Sequence, residues 1–174
     1  MQGIKTFIPT EKKVQYIQSL LRCGFDTIDF GSFVSPKAIP QMVDTKEVLA
    51  QLDLSSTKSK LLAIVANLRG AQDAVVHPEI DYLGYPFSIS ENFQMRNTNK
   101  SIDESFKSLI EINNIVLKSG KKLVIYLSMC FGQETINALP SPGVDCKEIL
   151  PPTVSRTFLT IANPMPLTFF FLLG

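Results

Sequence analysis

Four short apolar runs alternate with stretches patterned for helices, and this alternation narrows the folds open to the chain more than any other feature. Thr27–Phe30, Leu61–Ala66, Ile80–Gly84 and Lys122–Met129 read as strands. Ahead of the first, Val14, Ile17, Leu20 and Leu21 recur at helical spacing. Thr10 is placed to cap that helix, Glu11 suits its first turn, and Gly24 is placed to stop it. Thr45–Leu52 and Gly70–His77 read as short helices, and Tyr85–Asn99 as a polar loop. Ser101-Ile102-Asp103-Glu104 has the form of a capping box. It opens a long helix with an apolar stripe through Phe106, Leu109, Ile110, Val116 and Leu117, interrupted by Asn113 and ended by Gly120. Strands alternating with helices make βα units, hence an α/β fold with a parallel sheet. An eight-stranded βα barrel and an open doubly wound sheet both satisfy the pattern. Neither G-x-G-x-x-G nor a phosphate-binding G-x-x-x-x-G-K-S/T occurs to favour a nucleotide fold.

Within this frame, Phe25 to Met42 (F-D-T-I-D-F-G-S-F-V-S-P-K-A-I-P-Q-M) is the most informative run. A β-type segment is expected to break at Gly31 and open into a loop fixed by Pro36 and Pro40. Asp29 stands inside the strand-like part, where acids are uncommon. Parallel strands covered on both faces are nearly continuous in apolar residues. An acid there therefore needs a cation, a metal or a set of donors. The plainer reading is a carboxylate at a strand end, half solvated or paired with a lysine.

Charge excludes several classes of function. With 17 basic and 16 acidic residues the net charge is +1, which gives no electrostatic basis for binding nucleic acid or a membrane surface, and neither partner is expected. No stretch reaches 18 uninterrupted apolar residues, as a membrane-spanning helix would need. Cys23, Cys130 and Cys146 are odd in number and lack C-x-x-C spacing, so reduced thiols in the cytoplasm are expected. The first ten residues do not read as a signal peptide. After Gly132 the pattern changes. Residues 133–174 hold six of the eleven prolines and no clear periodicity, and are expected to be an irregular, Pro-rich tail unrelated to the domain, disordered or mis-translated.

Three segments together resemble one family. They are S-F-V-S-P-K-x-x-P-Q-M (Ser32–Met42), S-E-N-F-Q-M-R-N-T-N-K-S-I-D-E-S-F (Ser90–Phe106) and Y-L-S-M-C-F-G (Tyr126–Gly132). Over about residues 1–132 the chain resembles the hydroxymethylglutaryl-CoA (HMG-CoA) lyases, metal-dependent enzymes built on a TIM barrel. The resemblance implies the N-terminal half of a (β/α)8 barrel, with about four parallel strands. It also implies retro-aldol cleavage of an acyl-CoA thioester to acetyl-CoA and acetoacetate. In the family a divalent cation, Mg or Mn, binds the substrate's oxygens while a base takes the hydroxyl proton. Relatives of this kind are homodimeric, and a mitochondrial matrix location is implied if a transit peptide precedes Met1 in the parent protein.

The resemblance carries few site residues onto this sequence. Asp29 falls where the family has an active-site Glu, on a side chain one methylene shorter, and is the expected catalytic residue. Ser32 matches a strand-end serine, Gln2 and Lys5 a loop near the substrate's polar end, and Asn97 a loop asparagine near the CoA. These four are expected to bind substrate. Three of them have a plainer reading: Ser32 bonded within its own loop, Gln2 and Lys5 solvated near a terminus. The family's Arg-Asp pair comes just ahead of the position matching Met1. Its His-x-His ligands have no counterpart, since His77 is the one histidine, so no metal ligands are assigned. Lys37 and Arg96 are read as solvated cations that could also meet CoA phosphates, and His77 as ending a helix. A family activity is thus expected of the full-length parent, with this chain an inactive fragment. The alternatives are a condensing synthase of the isopropylmalate or homocitrate type, and a shortened, non-catalytic paralogue serving as an interaction subunit.

Overall fold

The structure, a computed structural model, describes residues 4–129. Gln2, Cys130, Cys146 and the expected tail at 133–174 lie outside the described residues. The chain runs α1 (Thr10–Arg22), β1 (Thr27–Ser32), a 3-10 turn (Pro40–Met42), α2 (Thr45–Leu49), β2 (Lys60–Ile64), α3 (Leu68–Val75), β3 (Tyr82–Ser88), α4 (Glu91–Thr98), α5 (Ile102–Lys118) and β4 (Lys122–Ser128). The strands lie in the order β1-β2-β3-β4. β1 pairs with β2 and β2 with β3, both parallel. Lys122 N–H donates to Asp81 O at the start of β4, and Ile89 N–H to Ser128 O at its end, so β4 also runs parallel to β3. Neighbouring strands that follow in chain order, each crossing over through a helix, are the βα repeat the sequence pattern calls for.

Two compact units divide the described residues, 4–85 with 107–124 and 86–106 with 125–129. In the first, α1 buries Lys13, Ile17 and Leu21, spaced four apart so that they share one face. Thr10 does not cap this helix. Pro9 holds the cap position without a side-chain bond, and the Thr10 hydroxyl instead donates to Asp44 Oδ2 at 2.7 Å. The sheet core of this unit gathers Ile28, Leu61, Ala63, Val65 and Leu83 with Ala71 and Ala74 of α3, all at most 5% exposed. Each large aliphatic side chain so buried contributes about 1.5–3 kcal/mol. Gly70 is a packing necessity: a Cβ there would run into the backbone oxygen of Phe33.

α5 packs along Ser105, Leu109, Ile112 and Val116. Ile110 and Leu117, expected in its apolar stripe, are 43% and 62% exposed. The buried set is spaced 4, 3 and 4, which is the tighter helical stripe. The capping box forms as expected: Glu104 N–H donates to Ser101 Oγ at 3.1 Å, and Glu104 Oε2 accepts from Ser101 N–H at 2.9 Å.

The second unit holds the largest departure from the sequence reading. Tyr85–Asn99 is not a loop: β3 continues to Ser88 and α4 follows. Ser90 accepts from Phe93 N–H as its cap, and Asn99 closes it in the left-handed conformation at φ 55°. No apolar stripe announces this helix. Buried Gln94 holds it instead, accepting from Ser88 N–H at 2.8 Å and donating to Ser105 Oγ at 2.7 Å and Thr98 Oγ1 at 3.1 Å.

Candidate active site

β1 does not break at Gly31, as the sequence suggests, but continues through it to Ser32. What marks Gly31 is a slip in register. Asp29 pairs with Leu62, Gly31 with Ala63 and Ser32 with Ile64, so one residue of β1 has no counterpart in β2. On a regular strand, residues three apart face opposite ways. The slip changes this, because Leu62 and Ile64 are two apart and share a face, and so do their partners Asp29 and Ser32. The same two rows continue into β3 at Tyr82 and Gly84. An acid and a hydroxyl thus stand in successive rows of one sheet face, at the C-terminal end of β1. That is the end at which barrels of this type carry their sites.

The slip is held from behind. A Cβ on Gly31 would come within 2.8 Å of Thr45 Cγ2, so α2 lies close against the strand here. Thr45 Oγ1 lies 3.0 Å from Ser32 O and 2.8 Å from Met42 O, and accepts from Ser32 N–H at 3.3 Å. A threonine hydroxyl thereby fixes the backbone of Ser32 and ties it to the P-Q-M turn. The Ser32 side chain stays unengaged: its Oγ is buried and has no hydrogen-bond partner among the described residues. Leaving a buried hydroxyl unsatisfied costs about 1–3 kcal/mol. The plainer reading, Ser32 bonding its own loop, therefore does not hold for its side chain.

Asp29 is reached by solvent, yet its carboxyl is crowded by the sheet face. Burial pushes its pKa up to about 6, with the Gly31 N–H bond pulling the other way. A carboxyl titrating near neutrality can take or give a proton at working pH. No lysine pairs with Asp29 among the described ion pairs, which are Lys13–Asp44 and Lys60–Asp81.

The other expected site residues fall elsewhere. Lys5 is exposed in the lead-in to α1, with the backbone on either side of it bonded to Gln41. Asn97 is exposed on α4, in the second unit. Lys37 and Arg96 are exposed, as solvated cations are. His77 follows α3, as expected, with its ring 5.5 Å from that of Phe33 and its buried Nε2 without a partner among the described residues. Lys121 caps this turn by donating to His77 O and Ile80 O at 2.7 and 2.6 Å. Burial holds its pKa below the usual lysine value, against the pull of Asp81 and Glu79.

Sequence reasoning missed the residues that support the site. Lys13, 2% exposed, donates to Gln41 O and forms a 2.6 Å ion pair with Asp44. Burial alone would raise the pKa of Asp44, but the bonds from Lys13 and Thr10 outweigh it and hold the carboxyl below its ordinary value. The signal was present in the quoted motif, whose P-Q-M segment contains Gln41. Among the described residues no group of three His, Cys, Asp or Glu side chains could hold a metal ion. The described residues therefore do not fit a resident cation.

Known proteins give this geometry a context. No family model matches the chain. It is 34% identical over 132 residues to the hydroxymethylglutaryl-CoA lyase YngG of Bacillus subtilis, covering 76% of this chain and 44% of that one. It is 30% identical over 134 residues to the mitochondrial lyase of mouse, 76% and 40% of the two chains. To the cytoplasmic 3-hydroxy-3-methylglutaryl-CoA lyase of rat it is 36% identical over 107 residues, 60% and 30%. The chain thus spans less than half the length of these relatives. The crystal structure of the Bacillus subtilis HMG-CoA lyase superposes with a TM-score of 0.77 at 30% identity, covering 92% of this chain and 51% of that one. An Acinetobacter baumannii HMG-CoA lyase, solved with coenzyme A and 3-methylmalate, gives 0.75 at 26% identity over 92% and 49%. The four parallel strands and their helices match the N-terminal part of the barrel in these lyases.

Proposed function

We propose, for a chain that resembles the hydroxymethylglutaryl-CoA lyase family over three quarters of its length, that its residues form one wall of a site cleaving an acyl-CoA thioester between carbons. The observation that carries this reading is the slipped register of β1. It sets Asp29 and the unpartnered Ser32 hydroxyl on one face at the C-terminal strand end. The substrate class is a 3-hydroxy-3-methylglutaryl-CoA-type thioester, in line with the names of the relatives.

Within that reading each residue has a stated task. Asp29, with its pKa pushed up to about 6, holds or accepts a proton beside the reacting hydroxyl. Ser32 donates its free hydroxyl to a substrate oxygen, which gives the orphaned group the partner it lacks. Lys5 offers a cation to the substrate's carboxylate, and Asn97 a polar contact to the CoA part. Gln2 is assigned to the same polar end as Lys5.

The described residues supply no ligand set for the divalent cation of the family. The Mg or Mn requirement is inferred to rest on ligands other than the described ones, so turnover is assigned to the complete barrel and not to the 174 residues alone. Pairing between copies is likewise a proposal, by analogy with the family. A reducing compartment is inferred, in line with the free, exposed Cys23 thiol. The relatives carry both cytoplasmic and mitochondrial names. No helix among the described residues is long and apolar enough to cross a membrane.

The test is to purify the 174-residue chain and assay HMG-CoA with Mg or Mn for release of acetoacetate, alongside calorimetric binding of HMG-CoA. Binding without turnover is expected. Absence of binding would refute the thioester wall, and turnover at the rate of a complete lyase would refute the assignment of catalysis to the whole barrel.

A further inference from the structure

The segment ahead of α1 has no helix or strand of its own, yet one buried side chain holds it. Gln41, 4% exposed in the P-Q-M turn, uses both ends of its amide on residues 4–8. Its Oε1 accepts from Ile8 N–H at 3.1 Å. Its Nε2 donates to Ile4 O at 2.7 Å and Thr6 O at 2.6 Å. No other side chain meets this demand. Glutamate lacks the donors, and asparagine is shorter by a methylene. A second hold comes from Lys13, whose ammonium donates to the Gln41 carbonyl, pairs with Asp44 at 2.6 Å and lies 4.1 Å from the centre of the Phe7 ring.

Lys5 sits between the two pinned carbonyls of Ile4 and Thr6, and its side chain is exposed. We propose that Gln41 is a positioning residue: by fixing the backbone on both sides of Lys5 it presents that ammonium as a pre-placed cation for the carboxylate of an acyl-CoA substrate. The hold itself stands on the hydrogen bonds alone. Its consequence for the ligand rests on the assignment of Lys5 under Proposed function. A pre-placed cation loses less freedom on binding than one on a loose strap, so the gain is in affinity.

The experiment uses the full 174-residue chain with HMG-CoA as the probe. Trypsin cleavage after Lys5, read by mass spectrometry, is expected to speed up about tenfold in Gln41→Ala while the melting curve keeps a single folded transition. In Gln41→Glu the carboxylate still accepts from Ile8 N–H but faces two carbonyls. Cleavage after Lys5 should therefore rise while the Ile8 amide stays protected from exchange, a pattern that general loosening does not give. HMG-CoA affinity should fall about tenfold in Gln41→Ala and in Lys5→Met, and no further in the double variant, because Gln41 acts through Lys5. Unchanged cleavage after Lys5 in both Gln41 variants would overturn the hold. Additive losses in the double variant would overturn the link to Lys5. A wild-type chain that does not bind HMG-CoA would overturn the link together with the thioester reading, and the cleavage arm would still decide the hold.

Discussion

At the scale of single residues, Asp29 and Ser32 respond to different tests. An unfolded aspartate titrates near 3.8, whereas folded Asp29 keeps its proton to about 6. The folded chain thus binds more protons between those values, and stability falls as pH rises through that window. Asp29→Asn removes the penalty. It should stabilise the chain at pH 7 by about 1 kcal/mol, after allowance for solvent screening at an exposed side chain, and by nothing below pH 4. Urea titrations at pH 4 and pH 7 measure this, and an equal effect at both would show that the carboxyl is not crowded. Ser32→Ala deletes a buried hydroxyl that has no partner among the described residues, so stability should rise by about 1 kcal/mol at every pH while HMG-CoA binding weakens. A loss of 1 kcal/mol or more in thermal unfolding would mean that Ser32 is a structural hydroxyl. Asp29 was legible in the sequence because an acid between Ile28 and Phe30 conflicts with strand chemistry. Its alliance with Ser32 was not, since a three-residue spacing puts the pair on opposite faces and only the slipped register reunites them.

At the scale of elements, strands and helices were legible wherever apolar periodicity set them. Those set by polar bonds were not. α1 was expected from Val14, Ile17, Leu20 and Leu21, but its buried seam includes Lys13, which a hydrophobic pattern assigns to solvent. The lysine is tolerated there because Asp44 and Gln41 O satisfy its ammonium. Lys13→Met fills the space but strands the Asp44 carboxylate, so it should cost about 3 kcal/mol at pH 7, read by chemical denaturation. Because Asp44 is held below its ordinary pKa, its stabilising effect is present above pH 4 and lost as pH falls through the folded value. The Lys13→Met penalty should shrink in acid accordingly, and a penalty independent of pH would rule out the ion pair as its source. α4 was read as a loop for the same reason: its hub is Gln94, not an apolar stripe. Gln94→Leu should strip α4 of amide-exchange protection and leave that of α1 intact. Retained protection in α4 would show that the helix does not depend on its hub.

At the scale of the whole molecule, the repeat of strand and helix was enough to give an α/β fold with a parallel sheet, but not to choose between a barrel and an open sheet. The choice came from the motif run Ser32–Met42, whose Gln41 the structure ties to the 4–8 segment and whose neighbours Asp44 and Thr45 it ties to α1 and to the end of β1. The conserved shape of the relatives' barrel over this part, at a TM-score of 0.77, fits that choice. What local pattern cannot supply is the partner chemistry of a site assembled from distant strands, and this chain spans only 44% of the Bacillus subtilis lyase. The most direct measurement therefore restores the rest of the barrel. Residues 4–129 replace the matching segment of the Bacillus subtilis lyase, and the purified, folded chimera is assayed for HMG-CoA cleavage with Mg or Mn. Cleavage well above background, falling at least tenfold in the Asp29→Asn chimera, is the expected result. A folded chimera with no turnover above background, or one indifferent to Asp29→Asn, would contradict the assignment of these strands to a working lyase wall.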